Sequence, residues 1–271
     1  MPQVLASESQ DPHSTPFPPY LGAIDSRSFI LFARQRISAY LPAPWDFGSH
    51  ATGLASVGEF RLKGRLRPVP TALLAQLSDE GLATTANTGL GYRLDAVESL
   101  LMHVPDLASI VAARVGVIYP LVAEPGYDVS HSQPQWPNLI FVSFPEREDL
   151  IGDMRLTESI VHEAMHLHLT VQEGRSPLVA RYENSLYSPW MDTSRSVQGV
   201  LHGVFVFRCI SAFLRRLTGS TALPSDANRH VATRLDEIQQ QLAEIDSPVL
   251  EQSLTPRGVD LLRSWAASAV G

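Results

Sequence analysis

Thr157-Glu158-Ser159-Ile160-Val161-His162-Glu163-Ala164-Met165-His166-Leu167-His168 is the stretch from which the fold is read. Apolar residues flank a His-Glu-x-x-His pattern, and the stop signals Gly174 and Pro177 follow. The segment therefore predicts a helix over about 155–172. On a helix His162 and His166 stand one turn apart on one face. Two imidazoles so placed can reach one divalent ion at about 2.0–2.2 Å. Glu163 beside them can hydrogen-bond a metal-bound water, which is why the pattern recurs in metallohydrolases. The competing reading is a helix that carries two histidines by accident. Such a match arises in about one chain in a hundred of this size. His168 falls on another face and reads as a supporting or structural group.

Outward from this helix, residues 138–144 (Asn-Leu-Ile-Phe-Val-Ser-Phe) form the clearest strand signal. Residues 115–122 are also β-rich, though Pro120 limits them, and 124–137 read as loop. Helices are expected over 71–82, 93–103 and 106–114. Downstream, 175–194 is a polar stretch. A long apolar helix follows from about Ser196 to Leu217, ending at Gly219. Two more helices close the chain. One spans 226–245 with Asp226 as N-cap, the other 255–270 with Thr255 as N-cap and Pro256 at its first position. At the other end, residues 1–20 hold five prolines among polar residues and read as a flexible arm. A helix is expected over 26–40 and a Gly/Pro-rich loop over 42–68. The expected class is α+β and helix-dominated, with a small sheet preceding the HExxH helix and further helices C-terminal to it. Residues 21–125 form a helical N-terminal part suited to substrate binding. Residues 126–271 carry the metal helix, and the two parts are expected to make one compact unit.

The 271 residues are 44% hydrophobic, enough for a substantial core. The net charge is −7 and no block of Lys or Arg gathers, so no nucleic-acid partner is expected. The single cysteine, Cys209, lies in an apolar run and reads as a buried small hydrophobe. It excludes an intrachain disulfide, which suits a cytoplasmic location. The N-terminal residues lack a basic-then-apolar signal pattern. No run of about 18 apolar residues exists, so no membrane span is expected. Nothing in the chain indicates an oligomeric state.

A catalytic ion needs a third protein ligand and open positions. The residues after His166 lack the Gly and His of the longer metzincin pattern. Glu173 and Glu183 are the near carboxylates, and Glu183 lacks a strong helical frame. His202 is the better candidate. It is the only polar side chain between Val200 and Phe207, and a buried histidine needs a partner. A core histidine bonded to a backbone carbonyl explains it equally well. Gly199 and Gly203 would permit close approach by another helix or a ligand. Arg195 lies seven residues before His202, two turns along a helix, or about 10 Å. That separation suits an Arg gripping the far carboxylate of a small diacid chelated at the metal. The alternative is a solvated Arg at a helix start.

Three blocks of this chain resemble the HExxH-type 2-oxoglutarate-dependent peptide β-hydroxylases, which act on ribosomally made peptides. The first block is residues 130–142 (Ser-His-Ser-Gln-Pro-Gln-Trp-Pro-Asn-Leu-Ile-Phe-Val). The second is Glu158 to His166. The third joins Leu186-Tyr187-Ser188-Pro189-Trp190, Asp192 to Arg195, and Gly199 to Phe205. The likeness covers residues 128–217. Asn138 stands where the family has glycine, and Thr193 and Ser196 stand where it has prolines. The resemblance implies Fe(II), 2-oxoglutarate as co-substrate, and hydroxylation of a side-chain β-carbon in a precursor peptide. It implies His162, His166 and His202 as metal ligands, with Glu163 orienting water or a ligand. Arg195 as the 2-oxoglutarate anchor is inferred from spacing. Tyr187, Trp190 and Trp136 are candidates to line a substrate pocket, or else ordinary packing aromatics. Two other readings stay open. One is a Zn(II) metallopeptidase with Glu163 as base and Glu183 as third ligand. The other is a non-catalytic peptide-binding protein with a vestigial metal site.

Overall fold

Leu139–Ser143 is buried at every position, the mark of a strand covered on both faces. A computed structural model places it inside a four-stranded mixed sheet. The structure describes residues 61–86, 89–220 and 222–267. The expected arm at 1–20, the helix at 26–40 and most of the loop at 42–68 lie outside these residues. In chain order the elements are α1 (Thr71–Asp79), β1 (Ala83–Thr84), α2 (Gly91–Leu101), α3 (Pro105–Arg114), β2 (Val117–Val122), β3 (Ser130–His131) and β4 (Leu139–Ser143). There follow α4 (Leu150–Glu173), β5 (Ser185–Ser188), β6 (Thr193–Ser196), α5 (Val197–Ser220), α6 (Ser225–Ala243), α7 (Ser247–Gln252) and α8 (Pro256–Ala267). Helices predominate and the sheet is small, so the class is helix-dominated α+β, as expected.

The sheet order is β1-β2-β4-β3. β2 and β4 run parallel with Val117 opposite Leu139, while β1 and β3 add antiparallel edges. Pro120 stays within β2, and its carbonyl accepts from Thr85 N. Strands from both sides of residue 125 share this sheet, so the described parts of 21–125 and 126–271 have a common core.

The chain enters β4 through Asn138, whose φ is +68°. This left-handed conformation disfavours residues with a Cβ, although Asn tolerates it better than most. The carbonyl of Asn138 accepts from Gly116 N and Val117 N, which locks the start of β2 to that of β4. Asn138→Gly is expected to keep or raise stability by up to about 1 kcal/mol, and Asn138→Val to lower it by at least about 1–2 kcal/mol. Thermal melting of the two variants checks the opposite signs.

α4 begins at Leu150, five residues before the expected start. Asp149 caps it, its side chain accepting from Gly152 N at 3.0 Å. Gly152 lowers the helix signal there, but the site admits nothing larger. A Cβ would fall 1.8 Å from the Arg147 carbonyl oxygen. α5 starts where Ser196 Oγ accepts from Gly199 N. It packs along α4, and its apolar face joins the core through Val200, Leu201, Val204 and Ile210.

Val197–Gly219 is long and apolar enough to cross a membrane by length and composition alone, although polar and charged residues interrupt it. The most apolar part of it is 61% buried within the fold, as in a core helix. Several expectations need correction. Residues 175–194, expected as a polar stretch, contain β5 and the approach to β6, which pair as an antiparallel hairpin. The helix expected to open with Asp226 as N-cap begins at Ser225 after Pro224. Asp226 lies in its first turn, where the helix dipole favours a carboxylate. α7 was not expected at all. Thr255 does cap α8, its Oγ1 accepting from Gly258 N. Cys209 is buried, as expected.

Candidate metal-binding site

The packing of α4 against α5 brings three imidazoles together. His162 Nε2 and His166 Nε2 lie 3.1 Å apart. Two nitrogens bound to one ion at about 2.1 Å stand about 3.0–3.4 Å apart for right-angled to tetrahedral geometry. The first pair therefore has the spacing of two ligands. His202, 8% exposed, faces them from α5, its Nδ1 3.2 Å from His166 Nδ1 and its ring stacked at 17° on that of His166. His166 turns Nε2 to one neighbour and Nδ1 to the other. As placed, no three His, Cys, Asp or Glu donors among the described residues surround a common point that could hold an ion. The donor chemistry still suits a divalent cation. Burial pushes the His162 imidazole down to about 4, helped by the charge of Arg234. Burial, and then the neighbouring His162, pushes His166 to about 3. Both rings are therefore neutral near pH 7, the form that binds metal.

The other nitrogen of His202, Nε2, is 2.9 Å from Glu173 Oε2. Glu173 is the last residue of α4, two turns beyond His166 on the same face. Its carboxylate also accepts from Gln198 Nε2 at 2.7 Å, while its Oε1 is buried without a partner. His202 is therefore bonded to a carboxylate and not to a backbone carbonyl. Glu183 is exposed, and the carboxylate that reaches His202 is Glu173.

Glu163 is 3% exposed. Its Oε1 accepts from Ser130 Oγ and its Oε2 from Ser132 Oγ, each at 2.6 Å. Its Oε1 lies 3.9 Å from His162 Nε2. Ser130 of the edge strand β3 and Ser132 just after it thus clamp both oxygens of the carboxylate. Ser130 and Ser132 were quoted only as part of the serine-rich block. Their i, i+2 spacing is that of two side chains on one face of a strand, but only the tertiary fold aims that face at α4.

Arg195 sits on β6 and not on the helix, so the two-turn argument does not describe its position. Its Nε nevertheless lies 3.6 Å from where a Gly199 Cβ would stand, and its charge lowers the His166 pKa. Arg195 is exposed, and its side chain lies against the start of α5 at ordinary van der Waals distance from Gly199. Trp190 follows β5 and stacks on Phe207 at 4.8 Å and 10°. Phe207 in turn stands edge-on to His162 at 5.4 Å. A Cβ on Gly203 would lie 2.5 Å from Trp190 Cζ3, so this glycine admits the indole against α5. Tyr187 is exposed and donates its hydroxyl to Asp192 Oδ1 at 2.8 Å. Trp136 is 2% exposed and packs edge-on against Phe141, so it is a core aromatic and not a wall residue of an open pocket. His168 points elsewhere, accepting at Nδ1 from Arg114 Nε at 3.3 Å and stacking on Phe205. It plays the structural part expected of it.

No protein-family model matches the chain. No curated protein matches it either.

Proposed function

We propose that this protein is an Fe(II)- and 2-oxoglutarate-dependent oxygenase that hydroxylates a side-chain β-carbon in a ribosomally made peptide. The observation that carries the reading is the run of three imidazoles, His162, His166 and His202, each within 3.2 Å of the next. His162 and His166 would hold the ion through Nε2, and His202, whose Nδ1 now faces His166 Nδ1, would have to turn its ring to become the third ligand. The ion and its co-substrate would supply oxidation of a C–H bond by O2. The chain's own residues supply the surroundings. Arg195, exposed on β6, would turn its guanidinium to the distal carboxylate of 2-oxoglutarate. Trp190 and Phe207 form an aromatic wall beside His162 that keeps water from that side.

The serine clamp supports a holding role for Glu163. A peptidase base must turn its carboxylate to a metal-bound water. Here each oxygen already accepts a hydroxyl, from Ser130 or Ser132, which suits a carboxylate that orients its neighbours.

The test is turnover under O2. The purified protein with Fe(II), 2-oxoglutarate and candidate precursor peptides should form succinate and add one oxygen atom to a peptide. Absence of succinate, together with Zn(II)-dependent cleavage of the peptides, would overturn the reading in favour of a peptidase. Arg195→Ala should raise the 2-oxoglutarate concentration for half-maximal succinate formation about 10-fold or more, the loss of one charge-assisted contact. Metal affinity should not change, and equal loss of both would contradict the role given to Arg195.

A further inference from the structure

We propose that Arg114, with Arg175 beside it, forms an oxyanion site that takes a phosphate group at the C-terminal ends of α3 and α4. The site uses none of His162, His166 and His202, so it stands or falls apart from the metal reading. Arg114 is the last residue of α3 and is 6% exposed. A buried charge is costly unless it is paired. Its Nε donates to His168 Nδ1 at 3.3 Å, and no other side-chain hydrogen bond or ion pair holds the guanidinium among the described residues. The N–H groups of Nη1 and Nη2 are left for a ligand. Burial, and then the charge of Arg175, pushes the guanidinium down to about 10, and no Asp or Glu among the described residues opposes that shift.

The surroundings repeat the imbalance. His168, 8% exposed, uses Nδ1 as the acceptor for Arg114, so its N–H is on Nε2. That atom faces Gln172 Nε2 at 3.3 Å, while Gln172 Oε1 accepts from Arg257 Nη2 at 3.3 Å. Turning the amide over only moves the clash of donors to Arg257. The adjacent carboxylate, Glu173, turns instead to His202 and Gln198. This corner therefore holds more N–H donors than acceptors. The helix dipoles of α3 and α4 favour cations at their C-terminal ends, but each supplies only about half a charge. An anion facing the guanidinium supplies both the missing acceptors and the missing charge. Phosphate suits it better than a monocarboxylate, because its two charges match those of Arg114 and Arg175.

Inorganic phosphate titrated into the full-length protein tests this, with heat of binding and Tm as the readouts and chloride at matched ionic strength as the control. The variants are Arg114→Met, which keeps the apolar stem and removes the charge, and Arg175→Gln. Arg175 is half-buried just after α4, so its variant covers the case in which Arg114→Met fails to fold. The expected result is one phosphate bound by wild type, with a rise in Tm that chloride does not produce. Binding should be about 10-fold weaker in Arg175→Gln and lost in Arg114→Met. No saturable heat in the wild type, an equal rise in Tm with chloride, or undiminished binding in either folded variant would overturn the site.

Discussion

Alanine in place of His166 is expected to remove metal binding outright, with a loss in affinity greater than about 100-fold. Among the three imidazoles His166 is the central one, facing His162 through Nε2 and His202 through Nδ1. Its loss removes a donor and also separates the remaining two. Residues that merely support a ligand cost about 10–100-fold when changed, and a ligand costs more. Metal content after dialysis, by elemental analysis, checks this. Thermal melting of the metal-free variant shows whether the fold survives. Wild-type metal content in a folded His166→Ala protein would mean that α4 is not the seat of the ion.

Arg93→Ala is expected to be the most destabilising of the proposed substitutions. Arg93 is 3% exposed and makes three bonds from α2 to the chain around the start of α4. Its Nε donates to Asp153 Oδ1 at 2.7 Å, its Nη1 to the Pro145 carbonyl at 2.7 Å and its Nη2 to the Arg147 carbonyl at 3.1 Å. Truncation would strand the Asp153 carboxylate, whose side chain is only 18% exposed, and two carbonyls. Breaking such a pair from one side costs about 3–5 kcal/mol. For a domain of this size that lowers Tm by roughly 10 °C. Calorimetry and urea denaturation should agree on the loss. A Tm within about 2 °C of wild type would contradict the anchoring role of Arg93.

Much of this arrangement is visible in local pattern. The i, i+4 histidines need only helical periodicity, and the strand at Leu139–Ser143 needs only an apolar run of strand length. His202 stood out as the lone polar group in an apolar helix, and it meets His166. What stayed hidden depends on tertiary contact. β5 and β6 are four residues each and β6 is exposed throughout, so no apolar alternation marks the hairpin. That is why Arg195 was placed on a helix when it sits on a strand. β3 has two residues, and only the fold aims its Ser130, with Ser132 just after it, at Glu163 on α4. Glu173 shares the face of His166 by simple counting. Its link to His202 exists only because α4 and α5 cross where they do.

The central claim is that the histidine cluster seats an iron ion that also binds 2-oxoglutarate. An anaerobic titration tests it most directly. Fe(II) is added to the metal-free protein, then 2-oxoglutarate, and the visible absorption is followed. The expected result is a weak band that appears only when both are present, saturates at one equivalent of each, and is absent from His202→Ala. No band in the wild type at saturating Fe(II) and 2-oxoglutarate, or an undiminished band in His202→Ala, would contradict it.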